Sequence, residues 1–154
     1  MRLALVRSLL ALSVSLADVQ TSTAVSPPPT WIVFFDRGST GLTRPYADKM
    51  VRGFASALLS AQDLWKHPVC AWVLAFTDAA EARSYGAALS PMRGESVRKR
   101  LIELGVPKDR ITVLAYGDSV PWNLNQVPPD AAPNRRAEML IDPHCNFVPS
   151  DIRP

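Results

Sequence analysis

Asp78 and Arg93 are the side chains of this sequence best suited to hold a small charged ligand. Asp78 follows an apolar run that predicts a buried strand, and Arg93 is expected in the first turn of the next helix. Ligands of open α/β sheets commonly bind beyond the carboxyl ends of the strands, where a helix N-terminus favours an anion. Arg93 could grip a carboxylate with two parallel N–H bonds while Asp78 takes an ammonium, so the pair would complement a zwitterion. The spacing is also compatible with a solvated salt bridge between the two side chains, and it leaves both arrangements open.

Sequence signatures of catalysis are absent from the chain. It has no GxSxG or HExxH motif, and the segment 38–41 (GSTG) lacks the lysine of a phosphate-binding loop. His67 and His144 each adjoin a proline, and their positions near Cys70 and Cys145 lack the spacing of a zinc site. We therefore expect a non-catalytic protein with no cofactor and no metal.

Four strands are predicted, with two helices between them. The apolar, β-branched and aromatic runs that predict the strands are 31–35, 70–76, 110–115 and 137–141. Thr43 and Pro45 predict the start of the first helix, and Ser90 with Pro91 predicts the start of the second. The order β-α-β-α-β-loop-β predicts an α/β (α+β) two-layer sandwich with the helices on one face of a small sheet.

The first helix is expected to bury an apolar stripe that repeats at every fourth residue. The stripe consists of Tyr46, Met50, Phe54 and Leu58. Such spacing is typical of a helix face packed on the core of a domain.

The composition fits one globular domain. The chain has 154 residues, of which 47% are hydrophobic and 20% charged, and this excludes a multidomain protein or a highly charged disordered chain. Its net charge of +3 falls to +1 without Arg2 and Arg7 of the N-terminal segment. Nucleic acid is therefore not expected as a partner.

The N-terminal segment predicts secretion. Residues 1–17 have a basic start, an apolar run and a small-x-small cleavage site, as in a signal peptide. The run is shorter than the roughly 20 apolar residues of a membrane anchor, so no transmembrane segment is expected in the mature chain. We predict a proline-rich linker at 18–30, a domain at 31–142 and a tail at 143–154. The predicted location is the periplasm or cell envelope.

Several short motifs follow one another in order along the predicted domain. They are Phe35-Asp36, Thr77-Asp78, Leu89-Ser90-x-x-Arg93, Leu104-Gly105-Val106, Tyr116-Gly117-x-Ser119 and Asn134-Arg135-Arg136-x-Glu138. In this order and spacing they resemble the OmpA-like peptidoglycan-binding domain family over about residues 31–142.

The resemblance implies a fold and a ligand. The family's fold is β-α-β-α-β-β, with the last strand antiparallel between the first two. Its function is non-covalent binding of peptidoglycan through the diaminopimelate of the stem peptide, with Asp78 matching the residue that takes the amine and Arg93 the one that takes the carboxylate. Around them, the expected ligand-binding residues are Thr77, Asp36, Gly38, Gly86, Asn134 and Arg135.

The chain departs from the family pattern at several positions. Ala75-Phe76 replaces the usual Gly-His, Gly86 replaces an asparagine, and Gly94 replaces an alanine. Gly38 and Gly86 can offer backbone N–H groups but no side-chain amide. An alternative function is therefore a degenerate OmpA-like domain that binds envelope proteins through the 121–133 loop, with its Trp122, and the tail 146–154.

The resemblance also bears on the two cysteines. Disulfides persist outside the cytoplasm, but the spacing of Cys70 and Cys145 alone is compatible with a disulfide or two free thiols. If the last strand runs antiparallel beside the second, Cys145 lies near Cys70. The resemblance therefore favours a disulfide between them.

Overall fold

The computed structural model describes residues 31–120, 122 and 132–146. The predicted signal peptide, the linker, most of the 121–133 loop and the tail beyond residue 146 lie outside the described residues. The bounds of the elements are β1 Trp31–Phe34, α1 Pro45–Trp65, β2 Cys70–Phe76, α2 Ala79–Tyr85, α3 Leu89–Glu103, β3 Ile111–Gly117 and β4 Arg136–Asp142. None of the helices in these ranges is both long and apolar enough to cross a membrane.

The four strands form one mixed sheet in the order β1-β4-β2-β3. β4 runs antiparallel to both β1 and β2, whereas β2 and β3 are parallel. This confirms the predicted insertion of the last strand between the first two. Ala75 near the end of β2 pairs with Ala137 near the start of β4, so the carboxyl end of β2 lies beside the residues that lead into β4.

Helices α1 and α3 pack on one face of the sheet, as predicted for a two-layer sandwich. The predicted stripe on α1 is only partly correct. Phe54 and Leu58 are buried, but Met50 is 39% exposed and Tyr46 is half-buried. A step of four residues advances about 40° around an α-helix beyond a full turn, so a strict four-residue repeat drifts away from the core. The residues of α1 that are buried are Ala47, Val51, Phe54, Ala55 and Leu58.

The segment between β2 and α3 differs from the prediction. A short helix, α2, follows β2 directly, and α3 begins at Leu89 with Ala88 as its N-cap. Ser90 is therefore inside α3 and not its N-cap, and its hydroxyl accepts a hydrogen bond from the Gly117 N–H at 3.2 Å. Arg93 is consequently in the second turn of α3, two residues further from the helix N-terminus than predicted.

Gly94 lets α3 approach the sheet closely. A Cβ at this position would overlap the Val113 side chain of β3. Glycine at this position, where the family pattern has alanine, therefore allows α3 to pack closely on β3.

The structure pairs Cys70 with Cys145 in a disulfide, with Cα atoms 5.0 Å apart. Cys70 opens β2, and its register partner on β4 is Asp142, so Cys145 follows closely after the paired strand. The bond ties the chain after β4 to the start of β2, as favoured by the resemblance.

Candidate functional site

Asp78 lies at the carboxyl end of β2, where it caps α2. One carboxylate oxygen accepts a hydrogen bond from the Glu81 N–H at 2.6 Å, and the other accepts one from Arg135 Nη1 at 2.8 Å. The side chain is 1% exposed. Asp78 thus accepts a hydrogen bond from a backbone N–H of α2. It also balances the charge of Arg135, the residue that directly precedes β4.

Arg93 reaches the same edge from α3 and is fully buried. Its Nη1 and Nη2 atoms each donate to a different carboxylate oxygen of Glu81, both at 2.7 Å. Its remaining N–H groups donate to backbone carbonyls: Ser39 O at 2.9 Å, Phe76 O at 3.1 Å and Asp36 O at 3.3 Å. A guanidinium has five N–H donors, so all of them are engaged by the chain itself.

Glu81 is the site residue that sequence reasoning missed. It is 0% exposed, and besides the two bonds from Arg93 its Oε1 accepts one from the Gly38 N–H at 2.7 Å. The segment Asp78-Ala79-Ala80-Glu81 has the spacing of a capping box, a signal that could have shown that Glu81 belongs to this edge. A capping box predicts that Glu81 bonds the backbone of residue 78, however, and not a buried arginine.

Asp78 and Arg93 therefore belong to two separate ion pairs, Asp78–Arg135 and Glu81–Arg93. The hydrogen bond from Glu81 N–H to Asp78 joins the two pairs into one network, in which Arg135 is 15% exposed and the other three side chains are buried. Two positive and two negative side chains balance each other, which is the condition for burying charges at this depth. Neither the open zwitterion site nor the solvated salt bridge describes this arrangement.

The predicted site residues before and after β2 lie around this network. Asp36 is exposed and forms an ion pair with Arg44, which holds the pKa of the Asp36 carboxyl below its usual value. The Asp36 backbone oxygen, not its side chain, faces Arg93. Thr77 is buried, and its hydroxyl has no hydrogen-bond partner in the described part of the chain.

The two predicted glycines play different parts. Gly38 has φ +69° and donates its N–H to Glu81, so it offers a backbone donor as expected, but to a carboxylate of the same chain. Gly86 has φ +62° and ends α2, donating its N–H to Ala82 O. It lines a separate cavity of about 460 Å³ between α2, α3 and β3, which Asp78 and Arg93 do not line.

The residues that lead into β4 shape this edge of the sheet. Asn134 is buried, and its side-chain oxygen accepts a hydrogen bond from the Trp122 N–H at 2.6 Å. Arg135 pairs with Asp78, as described above. The Arg136 guanidinium stacks 3.8 Å from the Phe76 ring centroid and 5.1 Å from that of Trp122. These three residues thus hold the end of the loop against the sheet.

The inserted antiparallel strand, the helices on one face and the charged edge beyond β2 define an α/β domain of the OmpA-like class. The chain belongs to the OmpA family, whose sequence profile matches residues 34–135. The matched range includes all the predicted ligand-binding residues.

Solved structures share this fold. The peptidoglycan-associated lipoprotein from Burkholderia pseudomallei is 25% identical, with a TM-score of 0.57 over 72% of this chain and 89% of that one. The OmpA-like domain of FopA1 from Francisella tularensis has a TM-score of 0.61 at 16% identity, over 74% and 72% of the two chains. The periplasmic domain of Helicobacter pylori MotB has a TM-score of 0.54 at 19% identity, over 79% and 82%. At these lower identities the last two show the fold alone.

A curated relative matches part of the domain. The sodium-type flagellar protein MotY of Vibrio parahaemolyticus is 39% identical over 69 residues, which is 45% of this chain. The match spans only 24% of the length of that protein.

Proposed function

We propose that this chain binds cell-wall peptidoglycan non-covalently through the diaminopimelate of the stem peptide and catalyses no reaction. Its membership of the OmpA family and its likeness to a peptidoglycan-associated lipoprotein support the ligand class. The observation that carries the proposal is the bidentate grip of Arg93 on a carboxylate beside Asp78. This geometry suits a carboxylate ligand, although Glu81 supplies the carboxylate here.

The side-chain end of diaminopimelate carries an ammonium and a carboxylate on one carbon. In the proposed complex, Arg93 and the Gly38 N–H bind the carboxylate, and Asp78 binds the ammonium. The buried Thr77 hydroxyl offers a further polar group beside Asp78. Arg135 positions Asp78, and Asn134 positions the end of the loop through its hydrogen bond from the Trp122 N–H. Both residues therefore act on the ligand indirectly, by positioning other parts of the site.

Sedimentation with purified peptidoglycan tests the proposal. The chain should pellet with diaminopimelate-type peptidoglycan, and free meso-diaminopimelate should release it. Nα-acetyl-lysine amide should not release it, because its free end carries an ammonium but no carboxylate. Lysine-type peptidoglycan is the matched negative control.

Two variants locate the binding site. Asp78→Asn and Arg93→Lys should each weaken binding by about tenfold or more, since each removes a charge-assisted or bidentate interaction. The control variants are Asp63→Asn, at an exposed residue of α1, and Arg98→Lys, at a residue of α3 that pairs with Glu95. Circular dichroism must show that all four variants are folded. Equal pelleting of folded site and control variants would contradict the proposed site.

A second candidate function is a protein-interaction module of the cell envelope. The observation that favours it is that the chain's own acceptors engage all five N–H groups of Arg93. If the unaltered chain stays in the supernatant with diaminopimelate-type peptidoglycan, this alternative replaces the first.

The proposed ligand requires export to the cell envelope. We infer that residues 1–17 direct this export and are then removed. A fusion of residues 1–30 to alkaline phosphatase, which is active only after export, should be active in a bacterial host. Replacing both Arg2 and Arg7 by glutamate should reduce the activity. Activity equal to that of a leaderless fusion would refute the inference.

A further inference from the structure

The Glu81 carboxylate is surrounded as a bound ligand would be. Three donors converge on it: two guanidinium N–H groups of Arg93 and the Gly38 N–H, all at 2.7 Å. We call the space defined by the Arg93 guanidinium and the Gly38 N–H the Arg93 pocket. Glu81 fills it completely, because both it and Arg93 are 0% exposed.

We propose that Glu81 is an internal ligand, which occupies the Arg93 pocket and competes there with external carboxylates. Where the external carboxylate is that of diaminopimelate, the inference rests on the proposed function. Binding to the wall then requires the Glu81 side chain to leave the pocket. The apparent affinity is the intrinsic affinity multiplied by the fraction of molecules in which the pocket is empty.

The packing of α2 is consistent with such an exchange. Glu81 is the one buried residue among the seven of this helix. The helix is therefore attached to the domain mainly through its charged contacts, the Glu81–Arg93 pair and the Asp78 cap, with little apolar packing. Elements with few buried apolar contacts are among those that open locally at less than the cost of global unfolding.

The exposed ring of Tyr85 lies against Gly38, which supplies one donor of the Arg93 pocket. Tyr85 of α2 is 52% exposed, and its hydroxyl lies 2.8 Å from the point that a Cβ on Gly38 would occupy. Because Tyr85 and Glu81 belong to the same helix, a shift of α2 would withdraw the internal carboxylate and uncover Gly38 together.

Chemical complementation tests the proposal directly. Glu81→Ala removes a fragment, the methylene and carboxylate, that corresponds to acetate. We expect this variant to have a lower melting temperature than the unaltered chain and to regain part of the difference, saturably, with sodium acetate. Acetamide has the same shape without the charge, and sodium chloride has the same ionic strength; neither should reproduce the gain.

The matched control is Glu95→Ala, which removes the carboxylate of an exposed ion pair with Arg98 on α3. Neither this variant nor the unaltered chain should respond specifically to acetate. If Glu81→Ala does not fold alone, it is refolded in acetate; recovery of the fold supports the proposal, and failure to recover it overturns it. An acetate response no larger than that of Glu95→Ala also overturns it.

The competition with the wall ligand is measured with Glu81→Gln, which keeps the shape of the side chain but places an amide N–H₂ group against the guanidinium. We expect this variant to bind meso-diaminopimelate and peptidoglycan about tenfold more tightly than the unaltered chain, because the competitor is weakened. Unchanged or weaker binding by the folded variant would contradict the proposed competition between Glu81 and external carboxylates.

The two proposals can fail separately. An acetate response of Glu81→Ala without wall binding by any variant supports the internal ligand and refutes the proposed function. Wall binding by the unaltered chain without an acetate response of Glu81→Ala supports the function and refutes the internal ligand.

Discussion

Replacing Glu81 and Arg93 by methionine, singly and together, tests whether the buried ion pair stabilises the domain as a unit. Both side chains are fully buried and are joined by two hydrogen bonds of 2.7 Å. Removing one partner of such a pair costs about 3–5 kcal/mol, because it leaves an uncompensated buried charge. We expect each single variant to lose unfolding free energy of this order.

The two single variants should not be equal. Arg93 also donates to three backbone carbonyls, those of Ser39, Phe76 and Asp36. Arg93→Met leaves these acceptors without their donor at about 1–3 kcal/mol each where they stay buried, whereas Glu81→Met leaves one backbone donor, the Gly38 N–H. Arg93→Met should therefore be the more destabilising of the two.

The double variant contains neither charge. Its loss of unfolding free energy should be smaller than the sum of the two single losses by about 3 kcal/mol, which is the upper range of coupling between contacting residues. It should not reach zero, because the unpaired backbone groups remain.

Urea denaturation followed by circular dichroism measures these free energies. The control is the same cycle on Glu95 and Arg98, an exposed pair on α3 whose coupling should not exceed about 0.5 kcal/mol. Additive losses at Glu81 and Arg93, with coupling no larger than in the control cycle, would refute the description of the pair as a buried unit.

Two further predictions concern stability away from the site. Arg52 and Arg100 hold the pKa of the Asp48 carboxyl below its usual 3.8, so Asp48 stabilises the fold above that pH and the contribution is lost as pH falls further. Asp48→Asn should lower the urea midpoint at pH 7, and its difference from the unaltered chain should vanish under strongly acidic conditions; a constant difference would contradict the assignment. Reducing the Cys70–Cys145 disulfide should destabilise the domain by about 2–5 kcal/mol in urea denaturation, as is usual for native disulfides. Two alkyl groups added without reductant, seen by intact mass, would show instead that the thiols are free.

Much of the fold could be predicted from local patterns. Apolar β-branched runs marked β1 to β4, and prolines marked the start of α1 and the first turn of α3. Helix α2 was missed because its seven residues bury only Glu81, so it has no apolar stripe to reveal it. The buried face of α1 was shifted because a four-residue repeat does not match the helical period.

The site was predictable in its location but not in its contacts. The sequence by itself determined that Asp78 follows a strand and that Arg93 lies on a later helix, because both depend on short-range patterns. Only the tertiary structure decided that Asp78 pairs with Arg135 and Arg93 with Glu81. An arginine buried this deeply needs a carboxylate within hydrogen-bond distance, and which carboxylate reaches it depends on how α2 and α3 pack on the sheet.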